Sequence, residues 1–164
     1  MIKTVYYFPI LGQAFSRDKI KSRLNSYSRV ILEHIAKCVL YGKNHRDYNS
    51  WIDTELSGWI SLLGSLKSKN NKKLKRQDYE DTLFGDLGTT KEDAKYNLEI
   101  ENLDNQKKTP LFPAVKITDD LVSKMFLACK EIKESMIDLI LNSKDEVSKD
   151  EAKSKLHNIL DKYC

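Results

Sequence analysis

Residues 16–66 decide the fold: SRDKIKSRLNSYSRVILEHIAKCVLY over 16–41, GKNHRDYNS over 42–50 and WIDTELSGWISLLGSL over 51–66. In the first block Ile20, Leu24, Tyr27, Ile31, Ile35 and Cys38 recur at spacings of three and four, which makes one face of an α-helix. Ser16 stands where an N-cap belongs, Asp18 complements the helix dipole, and Gly42 stops the helix after Tyr41. In the third block Ile52, Leu56, Trp59, Leu63 and Leu66 repeat the pattern behind Ser50, which with Asp53 forms a capping-box variant. A short polar turn between two such helices predicts an antiparallel αα-hairpin. His34 falls at the edge of the first stripe and Arg29 on the opposite, solvent side. Trp51 and Trp59 project about 80° apart on one helix, which puts Trp59 in the buried stripe and leaves Trp51 the more exposed.

Outward from the hairpin, the N-terminal residues Ile2 to Tyr7 are β-branched and aromatic. They predict an extended arm over residues 1–15, pinned on the helices by Tyr6, Phe8 and Ile10. Residues 67–117 form an irregular charged segment. Within it, Thr90 with Asp93 caps a short helix to about Leu103, with Ala94, Leu98 and Glu101 on one side and Tyr96, Ile100 and Leu103 on another. Pro110 and Pro113 keep the stretch up to Ile117 extended. A C-terminal helical pair fills 118–164. Thr118 opens one helix, with Leu121, Met125, Ala128, Ile132, Met136 and Leu139 as its stripe, and Ser148 with Glu151 caps the other. The expected architecture is all-α, a single domain over 1–164, with a bundle of four or five helices, an extended arm and an irregular middle.

The chain has 164 residues, 40% hydrophobic and 32% charged, which suits one globular domain. No apolar run reaches the roughly 20 residues of a membrane span, so no membrane insertion is expected. The start lacks a small-residue cleavage site and is cut by Pro9, which argues against a signal peptide. Cys38, Cys129 and Cys164 are odd in number and widely spaced, a pattern that fits reduced thiols in the cytoplasm rather than a disulfide framework or a zinc site.

The net charge of +4 hides an asymmetry: residues 1–76 hold 15 Lys/Arg against 5 Asp/Glu, and residues 77–164 hold 13 against 19. Either the acidic half folds back on the basic half, which is the favoured reading, or the basic half meets an external polyanion. Six basic residues in ten, Lys67, Lys69, Lys72, Lys73, Lys75 and Arg76, could contact phosphates, though the run has no interleaved aromatic for base stacking. Lys37, His45 and Arg46 join them as candidate binding residues, because with His34 they could converge where the first helix meets its turn. His45-Arg46-Asp47 has the form of a kinase catalytic loop, but no Gly-rich nucleotide loop precedes it. No P-loop, HExxH or GxSxG is present, so no cofactor and no metal are expected.

Two resemblances bear on function. Arg29-Val-Ile-Leu-Glu-His34 resembles part of the Arg-x4-x6-His motif of the HEPN ribonucleases. That implies a metal-independent ribonuclease using Arg29 and His34. It departs from the family in Val30, where a polar residue is usual, and in its early position, and a regular helix turns the two residues about 140° apart. Ser28-Arg-Val-Ile-Leu-Glu-His-Ile-Ala-Lys37, then Asn49-Ser-Trp-Ile-Asp-Thr54, resemble the centre of the bacterial domain-of-unknown-function family number twenty-nine. Leu111-Phe-Pro and Ile117-Thr-Asp-Asp-Leu121 are similar to its proline-containing C-terminal segment. The likeness implies an all-helical bacterial protein with no established activity and marks His34, Lys37 and Trp51 as signature residues. The aromatic arm, the longer turn and the helix after Ser148 depart from it. The leading expectation is a non-enzymatic helical module that binds a protein or a nucleic acid through its basic half, with homodimerisation left open. The ribonuclease is the alternative.

Overall fold

A computed structural model describes residues 17–66, 75–84, 90–107, 112–143 and 147–164, the first five of them by backbone alone. Ser16, the arm over 1–15 and Lys67, Lys69, Lys72 and Lys73 lie outside the described residues. Among the described residues the chain is all-α. Helix α1 spans Arg17–Tyr41. Helix α2 is continuous through three geometries: an α-helical turn Tyr48–Ser50, a π-helical stretch Trp51–Leu56 and an α-helical stretch Ser57–Ser65. Then come α3 (Arg76–Thr82), α4 (Lys91–Gln106), α5 (Asp119–Asn142) and α6 (Lys149–Tyr163). The single-domain bundle expected from the sequence is present, with α3 added inside the segment expected to be irregular.

Helix α1 is the axis of the bundle. Ile31, Leu32, Ile35, Ala36, Cys38, Val39 and Leu40 are all buried, so its C-terminal half is covered on nearly every side, with Glu33 left exposed. That is the pattern of a helix surrounded by others, and α1 touches each of the other helices. Gly42 follows it with φ +73°, the left-handed conformation that ends a helix, and its amide donates to the Cys38 carbonyl at 2.9 Å. Pairings between Tyr41 and Trp51, His34 and Glu55, and Tyr27 and Trp59 descend α1 as they climb α2, so the two helices are antiparallel. Lys37 meets Glu101 and Tyr41 lies beside Asn105, an even offset that makes α1 and α4 parallel.

Helix α2 corrects the sequence reading. It starts at Tyr48, not after a Ser50 cap; Ser50 is itself helical and its side chain caps nothing. The Ser57 amide donates to the carbonyl of Ile52, five residues back, which is a π-helical bond. Ile60 is buried beside the predicted Leu56, Leu63 and Leu66, whereas Trp59 is only half-buried, and Trp51, expected to be the more exposed tryptophan, is the more buried one. Gly64 also lies in the core, where a Cβ would stand 2.5 Å from the Val147 side chain.

The caps at Thr90, Thr118 and Ser148 form as their spacings predict, each side-chain oxygen accepting from the amide three residues on. Asn102 holds the extended stretch before α5 like a strand partner. Its amide donates to the Val115 carbonyl at 2.8 Å and its oxygen accepts from the Val115 amide at 3.0 Å. No disulfide joins the three cysteines. No helix of the described residues is long and apolar enough to cross a membrane.

Candidate functional site

The residues singled out on α1 and its turn do not converge on one site. His34 is 7% exposed, with Nδ1 2.9 Å from the Val30 carbonyl and Nε2 3.6 Å from Glu55 of α2. Burial holds its pKa below the ordinary value of 6.5, against the opposing pull of the Val30 carbonyl. Lys37 is 8% exposed and faces α4, with Nζ 3.7 Å from Glu33 and 3.8 Å from Glu101, itself 4% exposed. Asn105 donates to Glu101 and lies beside the Tyr41 hydroxyl, which completes a buried polar line between α1 and α4. His45 is a packing residue. Its ring stacks on Trp51 at 4.7 Å and on Phe112 at 5.3 Å, and its Nδ1 accepts from the Asp47 amide at 3.0 Å. Arg46 is exposed and 3.5 Å from Asp47.

Arg29 and His34 leave α1 on different sides. Arg29 is exposed and lines a cleft of about 200 Å³ toward Tyr96 and Asn97 of α4, whereas His34 faces α2. The helical rotation between them persists because α1 runs unbroken through both positions.

The third histidine carries a network with no part in the sequence reading. His157 Nε2 lies 2.8 Å from Asp53 in the π-helical stretch, and Nδ1 lies 3.4 Å from Asp161 one turn along α6. The Tyr48 hydroxyl donates to Asp161 at 3.0 Å, and burial raises the pKa of that phenol. The four side chains lock α6 to the start of α2. The i,i+4 spacing of His157 and Asp161 was legible; the approach of Asp53 was not. Among the described residues no group of three or more His, Cys, Asp or Glu is placed to hold a metal ion.

The end of the basic run that the structure describes, Lys75 and Arg76, is exposed at the start of α3. It lies over α5, where sequence reading found no site. Arg76 donates to Asp138 at 2.5 Å, and Lys133 Nζ donates to the Glu80 carbonyl in the last turn of α3 at 2.7 Å. Burial lowers the pKa of Lys133. Between the two helices is a cleft of about 460 Å³ with Phe126 and Ile137 as its apolar lining and Arg76, Lys130, Lys133, Glu80 and Glu134 around them. Lys130 Nζ stands 5.5 Å from the centroid of the Phe126 ring. Phe126, Lys130 and Lys133 recur at helical spacing on one side of α5, a weak signal that points to this cleft only once α3 is laid across it.

A second surface feature belongs to α4. Ala94, Leu98, Glu101 and Asn105 face the core, while Tyr96, Ile100 and Leu103 are 54%, 41% and 57% exposed and form an apolar stripe at spacings of four and three. A scan of protein-family models, a search of curated proteins and a search of solved structures each return no match for this chain.

Proposed function

We propose that this chain is a non-enzymatic helical module that binds nucleic acid through its basic run and the adjoining α3–α5 face. One observation carries the reading. The exposed Arg76, next to the exposed Lys75 in sequence, lines a cleft to which Lys130 and Lys133 come from a distant part of the chain. In sequence, Lys67, Lys69, Lys72 and Lys73 directly precede Lys75 and Arg76. Lys37, His45 and Arg46 are not part of that face; Lys37 and His45 serve packing, and Arg46 pairs at the turn. The likeness to the bacterial family number twenty-nine belongs to the same proposal and would make His34, Lys37 and Trp51 structural signatures.

Binding of a labelled single-stranded oligonucleotide over a salt series tests the reading. Each phosphate neutralised on a single strand contributes about −0.7 to the slope of log K against log salt. Replacing Lys67, Lys69, Lys72 and Lys73 by Gln is expected to weaken binding and to flatten that slope by about 3, four times the single-phosphate value. An unchanged slope overturns the proposal. Intact oligonucleotide after prolonged incubation separates binding from the ribonuclease alternative, in which cleavage would be lost in His34→Ala. That alternative needs Arg29 and the buried His34 at one phosphate, which a single copy of α1 does not offer. A second reading, a protein partner, is favoured by the exposed Tyr96, Ile100 and Leu103 stripe and becomes the leading one if no nucleic acid binds at moderate salt.

A further inference from the structure

We infer that the cleft between α3 and α5 seats an unstacked nucleobase of a single-stranded nucleic acid, with Phe126 as the stacking surface. The inference rests on the nucleic-acid reading above and adds what the basic run lacks, an aromatic ring. Around the cleft Arg76, Lys130 and Lys133 face Glu80, Glu134 and Asp138, so the cations are balanced locally by carboxylates. A phosphate gains little in such a place. A flat, uncharged base with donors and acceptors on its edges fits it well, because the walls offer both ammonium donors and carboxylate acceptors.

Phe126 is half-buried and packed against the core on one side, while Lys130 lies over its ring. An ammonium over the ring means that this face of Phe126 looks into the cleft and not into the bundle. An arriving base replaces the Lys130 contact with a stacking contact and leaves the ammonium free to meet the flanking phosphate. Lys133 is tied to the Glu80 carbonyl at 2.7 Å and Arg76 to Asp138, so two walls of the cleft are held in place before any ligand arrives. At about 460 Å³ the cleft has the size of a small-ligand site.

The test compares a 12-nucleotide oligo(dT) with a tetrahydrofuran abasic backbone of the same length and charge, on wild type, Phe126→Leu and Phe126→Tyr, each checked for helicity. Stacking on one ring contributes about 1–3 kcal/mol per base, which is roughly 5- to 150-fold in affinity. Wild type is expected to prefer oligo(dT) over the abasic strand by at least about 5-fold. Phe126→Leu, which keeps an apolar side chain but removes the ring, is expected to lose that preference and to bind the abasic strand as before, while Phe126→Tyr retains it. Equal binding of both strands by wild type overturns the base site and leaves the basic-run reading standing. Equal weakening of both strands in Phe126→Leu also overturns it. Binding of neither strand overturns both.

Discussion

His34 shows how much one position on α1 decides. As a residue between a polar turn and an apolar stripe it reads as an acid–base candidate, yet its setting removes it from bulk solvent and ties Nδ1 to the Val30 carbonyl. Because burial lowers its pKa, folded His34 stays neutral in a range where the unfolded chain takes up a proton. The unfolded state then binds more protons, so stability is full above about pH 6.5 and falls as the pH drops below it. Thermal melts followed by circular dichroism between pH 7.5 and 5 are expected to show wild type losing stability faster than His34→Gln, which carries no titrating group there. Parallel curves for the two proteins would assign the acid sensitivity to other groups. Phe84 is another single-residue effect. It is buried with φ +61°, and its amide donates to Ser28 of α1 at 3.2 Å, so a costly left-handed backbone is held by the core contact it makes.

At the scale of elements, α2 separates what a hydrophobic pattern can tell from what it cannot. Its existence and its inward Ile52, Leu56, Leu63 and Leu66 follow from the spacing of apolar residues. The π-helical stretch does not, because that pattern presumes 3.6 residues per turn throughout, and the misplaced pair, Trp51 and Trp59, bracket the extra residue. The two glycines of the helix carry opposite consequences. A Cβ on Gly64 would meet the side chain and the amide nitrogen of Val147 at 2.5 to 3.1 Å, whereas one on Gly58 would meet nothing within 4 Å. Gly64→Ala is expected to destabilise the protein by about 1–3 kcal/mol through overpacking. Gly58→Ala is expected to stabilise it by up to about 1 kcal/mol through helix propensity. Urea unfolding midpoints of the two variants check both signs, and a loss of stability in Gly58→Ala would overturn the propensity argument.

At the scale of the whole molecule, the charge asymmetry is met partly from within. Lys37 pairs with Glu101 and Arg76 with Asp138, each joining the basic half to the acidic half. The two pairs are unequal in energy. Removing Glu101 leaves the buried Lys37 the half-exposed Glu33, so Glu101→Leu is expected to cost about 3 kcal/mol, part of it regained in Lys37→Met/Glu101→Leu, where Asn105 still lacks its acceptor. Asp138→Asn, at an exposed pair, is expected to change stability by less than about 1 kcal/mol. Denaturation of the single and double variants measures the coupling, and a fully additive result would place Lys37 in contact with solvent. By itself the sequence determined the helical class, the hairpin, the caps at Thr90, Thr118 and Ser148, and the left-handed Gly42, because each depends on residues within a few positions of one another. Tertiary structure alone decided that Ala94 and Leu98 turn inward while Tyr96 and Ile100 face out, that Asp53 meets His157, and that Phe126 and Lys130 stand beside Arg76. These depend on which helix lies across which, and local spacing carries no record of a neighbour 50 or 100 positions away.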